Sequence, residues 1–123
     1  MTLSPVTGKH LIADLYQVPV NKFTDAKLVE EFLLQTSVRV GATIVEDPHL
    51  VSLPNLQDSF PAGITGFLLL GESHISIHTW PEHAYVSLDV YSCTEFDSDS
   101  LTSYVHEYWE PKGKASITVI KRG

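Results

Sequence analysis

One cysteine in 123 residues means that no internal disulfide braces the fold, and a reducing cytoplasm is the expected setting. The chain has no apolar run of transmembrane length and does not open on a basic, apolar, small-residue signal pattern, so neither membrane residence nor export is expected. Positive charge is scarce: 8 Lys and Arg face 15 Asp and Glu, a formal net charge of −7. That balance repels phosphate backbones and draws cationic small molecules, which argues against nucleic acid as a partner. No repeat, low-complexity tract or linker divides the chain. What remains is 43% hydrophobic and 19% charged, the composition of one domain with a real core.

Periodicity supplies the elements. In residues 9–18, Leu11, Ala13 and Leu15 alternate with Ile12, Asp14 and Tyr16, which predicts a central strand with both faces partly apolar. From Thr24 to Gly41, Leu28, Val29, Phe32, Leu33 and Val40 recur at helical spacing, with Thr24 as the expected cap and Gly41 as the stop. Residues 42–53 read as a strand broken at Asp47-Pro48, and a loop rich in proline follows, placed to line a site. Residues 64–80 read as extended throughout, and Pro81 to Ala84 turn the chain into a strand over 85–93. A second helix begins at Asp97 or Ser98, carries Leu101, Tyr104, Val105 and Tyr108 on one face, and closes at Pro111 and Gly113. With a last strand over 115–122, the expected fold is an α+β two-layer sandwich: a mostly antiparallel sheet with two helices on one face.

The chemistry concentrates in residues 71–93. His74, His78 and His83 invite a metal, but on a strand residues four apart lie about 13 Å from each other, too far for one ion, so no metal is expected. Ser73 lacks the second glycine of a G-x-S-x-G elbow. Cys93 paired with His78 as a nucleophile is possible on residue types. So is the plainer reading, in which the cysteine is a small core residue and the histidines are solvated.

The longer run decides between them. Glu72-Ser73-His74 followed by Ile77-His78-Thr79-Trp80-Pro81-Glu82 resembles the self-processing segment of the short, prokaryotic S-adenosylmethionine decarboxylases. Gly8-Lys9-His10-Leu11, Gly63-Ile64-Thr65-Gly66, the strand ending at Cys93 and the closing Lys121-Arg122-Gly123 are also similar to that family, so the resemblance spans essentially the whole chain. It implies a proenzyme that cuts itself between Glu72 and Ser73, giving residues 1–72 and 73–123, and turns Ser73 into a pyruvoyl cofactor, with no pyridoxal phosphate. By the same resemblance, His78 takes the Ser73 α-proton during processing and Thr65 holds the cyclic intermediate. Cys93 then returns a proton to the product after Schiff-base decarboxylation. Glu82 would grip the ribose diol and Phe60 stack on adenine near the sulfonium. The family pairs as homodimers with interfacial active sites. Two stretches depart from it: Tyr91-Ser92-Cys93-Thr94 stands where Phe-Thr-Cys-Gly is common, and the Ser59–Gly63 loop is one residue short. Decarboxylation of free arginine or ornithine on the same scaffold is the alternative activity; an unprocessed, non-catalytic partner subunit is a third reading.

Overall fold

Alternation of apolar and polar residues marks the strands of this chain, and a computed structural model describing residues 5–56 and 59–123 shows how they pair. β1 (Gly8–Leu15), α1 (Ala26–Val40), β2 (His49–Leu53), β3 (Gly63–Leu70), β4 (Ser73–Trp80), β5 (Tyr85–Ser92), α2 (Ser98–Trp109) and β6 (Ala115–Arg122) follow in that order. The strands form one six-stranded sheet, β2-β3-β4-β5-β1-β6, and every neighbouring pair is antiparallel. β1 is internal, between β5 and β6, as its two partly apolar faces predict. With α1 packed on β3 and β4, and α2 against α1 and β6, the α+β sandwich is as expected.

Period two sorts the side chains. Leu11, Ala13 and Leu15 of β1, Leu68 and Leu70 of β3, Ile75 and Ile77 of β4, and Val86, Leu88 and Val90 of β5 are buried beneath the helices. Phe32 and Leu33 of α1 and Leu101, Val105 and Trp109 of α2 close the core from above. The opposite face of the sheet carries no helix among the described residues. It presents Phe67, Leu69 and Trp80, each between 38% and 39% exposed, amid His74, Ser76, His78, Ser87 and Asp89.

Four local readings need correction. Residues 64–80 are two strands, not one extended run: Gly71-Glu72 forms a two-residue reversal, Leu70 pairs with Ser73, and Glu72 takes φ +58°. Within 42–53 only His49–Leu53 is a strand, because Asp47-Pro48 breaks the ladder and leaves Ile44 as an isolated bridge to Leu70. Asp25, not Thr24, caps α1: its carboxylate accepts from Lys27 N at 2.9 Å, while the Thr24 hydroxyl donates to the Asn21 carbonyl. At the far end of α2 the chain leaves the helix at Glu110, φ +50°, three residues before Gly113.

Candidate active site

Two groups of polar residues stand at opposite ends of β4. The first surrounds its opening residue. Ser73 is on the helix-facing side of the strand, is only 7% exposed, and follows directly on the left-handed Glu72. Its Oγ lies 3.0 Å from Ser92 Oγ, accepts the Cys93 backbone N–H at 3.3 Å, and is 3.9 Å from Cys93 Sγ. The thiol in turn lies 3.8 Å from Glu72 Oε2. The antiparallel pairing of β4 with β5 brings these together: His74 lies opposite Tyr91, so the start of one strand meets the end of the other, and Cys93 falls one residue past β5. The turn itself is moored, since Gly71 N–H donates to the Thr43 carbonyl at 2.8 Å.

The second group gathers where β4 ends. Thr65 and His78 are cross-strand partners on the uncovered face, with Thr65 Oγ1 3.1 Å from His78 Nδ1. Trp80, the next residue on that face, lies near the His78 ring and stacks on Tyr85 at 5.1 Å between centroids. Tyr85 donates to Asp14 at 2.8 Å; burial, together with that hydrogen bond, pushes its phenol above the ordinary value. Beside Thr65, His78 and Trp80 opens a cavity of about 330 Å³, also lined by Leu53, Asn55 and Glu82. Asn55 Nδ2 donates to Glu82 Oε2 and, at 3.4 Å, to the Pro61 carbonyl. One oxygen of the Glu82 carboxylate is thereby held.

The two groups do not meet within one chain. Ser73 and His78 are five residues apart on β4, about 16 Å at the usual strand rise, and an odd spacing sends their side chains to opposite faces.

A family model described as S-adenosylmethionine decarboxylase matches residues 9–123. The chain belongs to the S-adenosylmethionine decarboxylase family. It is 32% identical over 111 residues to the S-adenosylmethionine decarboxylase proenzyme of Bacillus cytotoxicus, covering 89% of this chain and 80% of that protein. The proenzyme of Persephonella marina is 43% identical over 86 residues, 70% of this chain and 59% of that one. Among solved structures, the crystal structure of the adenosylmethionine decarboxylase from Aquifex aeolicus is similar with a TM-score of 0.75 and 32% identity, covering 98% of this chain and 93% of that one.

In this decarboxylase-family chain, the residues singled out from sequence divide cleanly. Glu72, Ser73 and Cys93 are together; Thr65, His78 and Glu82 are together; Phe60 is half-buried on the connecting loop and is not among the residues lining the cavity. Sequence reasoning missed Asn55, whose only signal is its place in the proline-rich loop. It also gave no part to Ser92 and Thr94, which the structure places beside Ser73.

Proposed function

We propose that this chain is a self-processing, pyruvoyl-dependent decarboxylase of S-adenosylmethionine, releasing CO₂ and the decarboxylated aminopropyl donor used in spermidine synthesis. The observation that carries it is Ser73: a nearly buried hydroxyl next to a thiol, directly after a residue in the left-handed region, in a chain of this family.

Ser73 Oγ attacks the Glu72 carbonyl carbon, and the C–N bond breaks as the hydroxyl proton passes to the Ser73 nitrogen, leaving an ester and a free amine. Removal of the Ser73 α-proton expels the Glu72 carboxylate and leaves a dehydroalanine; water then displaces ammonia and a pyruvoyl group remains at the head of residues 73–123. That carbonyl supplies the electron sink for decarboxylating an α-amino acid, so neither metal nor pyridoxal phosphate is invoked. Cys93, 3.9 Å from Ser73 Oγ, stands where a proton must be returned, and a thiol of ordinary pKa is protonated at neutral pH. Glu82, with one oxygen held by Asn55 at the wall of the 330 Å³ cavity, fits a ribose diol, which free arginine or ornithine lacks. Phe60, on the same loop, is the proposed adenine-stacking ring.

His78 is the proposed processing base and Thr65 its hydroxyl partner, which requires a homodimer. A second copy, docked on the uncovered sheet face through Phe67, Leu69 and Trp80, would bring its own Thr65 and His78 to the Gly71-Glu72 turn at the head of the first copy's β4. A cytoplasmic setting suits the thiol.

Intact mass and denaturing electrophoresis test the first step: the chain splits after Glu72, and Ser73→Ala does not split. One uncut wild-type chain would sink the reading. Carboxyl-labelled S-adenosylmethionine, arginine and ornithine are then compared, and label is expected only from the first. Cys93→Ala is expected to split and to lose turnover.

A further inference from the structure

Ser73 is the head of a chain of hydroxyls that ends on the last carbonyl of α1. Ser73 Oγ lies 3.0 Å from Ser92 Oγ, Ser92 Oγ lies 2.7 Å from Thr94 Oγ1, and Thr94 Oγ1 donates to the Val40 carbonyl at 2.6 Å. Ser92 is fully buried. We propose that Ser92 and Thr94 are positioning residues for self-cleavage, forming a one-way hydroxyl relay that turns the Ser73 O–H toward the end of α1. The inference rests on the self-processing reading above.

The direction follows from what each group can do. A carbonyl oxygen only accepts, so Thr94 must spend its single O–H on Val40 and can take part in the 2.7 Å contact only as acceptor. Ser92 is then the donor to Thr94, and its oxygen accepts both from the Thr94 backbone N–H at 3.1 Å and from Ser73. Ser73 therefore donates to Ser92. With the Cys93 N–H occupying one lone pair of Ser73 Oγ and the Cys93 thiol donating to Glu72 Oε2, one lone pair is left for attack. A carbonyl cannot take a proton at the end of such a relay, so the relay is not a general base. It fixes the nucleophile's rotamer and polarises its O–H, and hydrogen bonds in series reinforce one another.

Val40 adds to the polarisation. As the last residue of α1, its carbonyl is one of those without an intrahelical partner, and the negative end of the helix dipole is concentrated there. Thr94 satisfies that carbonyl and transmits its pull to Ser73. This also explains one departure read from sequence, a threonine after the cysteine where glycine is common. The added hydroxyl serves the processing end of β4, not the cavity at the other end.

The test uses freshly translated full-length precursor, with chain splitting followed over time on denaturing gels. Thr94→Val keeps the shape and loses the hydroxyl, and is expected to split about tenfold more slowly, the effect of one neutral hydrogen bond. Thr94→Ser is expected to restore the rate, and Ser92→Ala to slow it at least as much as Thr94→Val. In a His78→Ala background, where the ester should accumulate, hydroxylamine-sensitive cleavage is expected to fall when Thr94→Val is added, placing the effect in the acyl shift. A merely structural tie would lower the melting temperature of the uncleavable Ser73→Ala protein without the serine rescue or the loss of ester. If the parent splits and Thr94→Val and Ser92→Ala split at the parent rate, the relay is wrong and self-processing stands. If the parent does not split, both fall.

Discussion

Glu72 is one of four non-glycine residues with positive φ among the described residues, and it precedes the bond proposed to be cut. A side chain in the left-handed region costs about 1–2 kcal/mol, so the precursor holds conformational strain at residue 72. Glu72→Gly in the uncleavable Ser73→Ala background should therefore raise stability by up to about 1 kcal/mol, read as a higher urea midpoint, and Glu72→Val should lower it. Glu110 shares the geometry but has a different partner. Lys22 Nζ, 2.8 Å away, holds its carboxyl below the ordinary range, first by hydrogen bonding and then by charge. A depressed folded pKa contributes stability above the unfolded value and loses it as pH falls through the folded one. Lys22→Gln should thus lower the melting temperature more near pH 7 than in acid, to about the small extent an exposed pair allows. At this scale the sequence was legible where a motif spoke. Ser73, His78 and Cys93 could be named from their neighbours, but the Thr94 contact spans 54 positions to Val40, and no local pattern announces it.

Elements were read well wherever apolar spacing ran uninterrupted, as in α1 and α2, and less well where reversal depended on an unusual residue. Nothing in Gly71-Glu72 has the Asn-Gly or Asp-Gly signature of a tight hairpin, so the fold of 64–80 back on itself was hidden by a continuous apolar and alternating run. Helix starts were visible to within a residue, because several capping side chains crowd each boundary and only geometry selects one. Asp97 accepts from both Asp99 N and Ser100 N, at 3.0 and 3.1 Å, whereas Asp25 makes a single such bond to Lys27 N. Asp97→Ala should cost about 1 kcal/mol or more, and Asp25→Ala less, compared by urea midpoint in the Ser73→Ala protein. The reversed order would mean that the α2 cap is not what anchors its first turn.

For the whole molecule, the division of the polar groups between two faces of β4 is the reason a second copy is proposed. Trp80→Asp or Phe67→Asp should convert the proposed dimer to a folded monomer by light scattering, because a charge placed on the uncovered face must be desolvated at the proposed interface. Mixing folded Ser73→Ala and His78→Ala chains should restore splitting, since a mixed pair contains one site with both residues intact; no recovery would place both groups in one chain. The family and the fold class were legible, whereas the separation of the candidate residues into two groups was not, because strand register decides which face each side chain takes. The β3–β4 register bears on what the proposed cut would leave behind. Six paired positions, from Thr65 with His78 to Leu70 with Ser73, would still zip the two pieces together once the Gly71-Glu72 loop is open. A protease that nicked the same bond would leave the same trace of strands and helices but an ordinary serine amine at the new end. Two molecules of identical shape would then differ in whether they can do chemistry, and what separates them is the route by which the bond was broken.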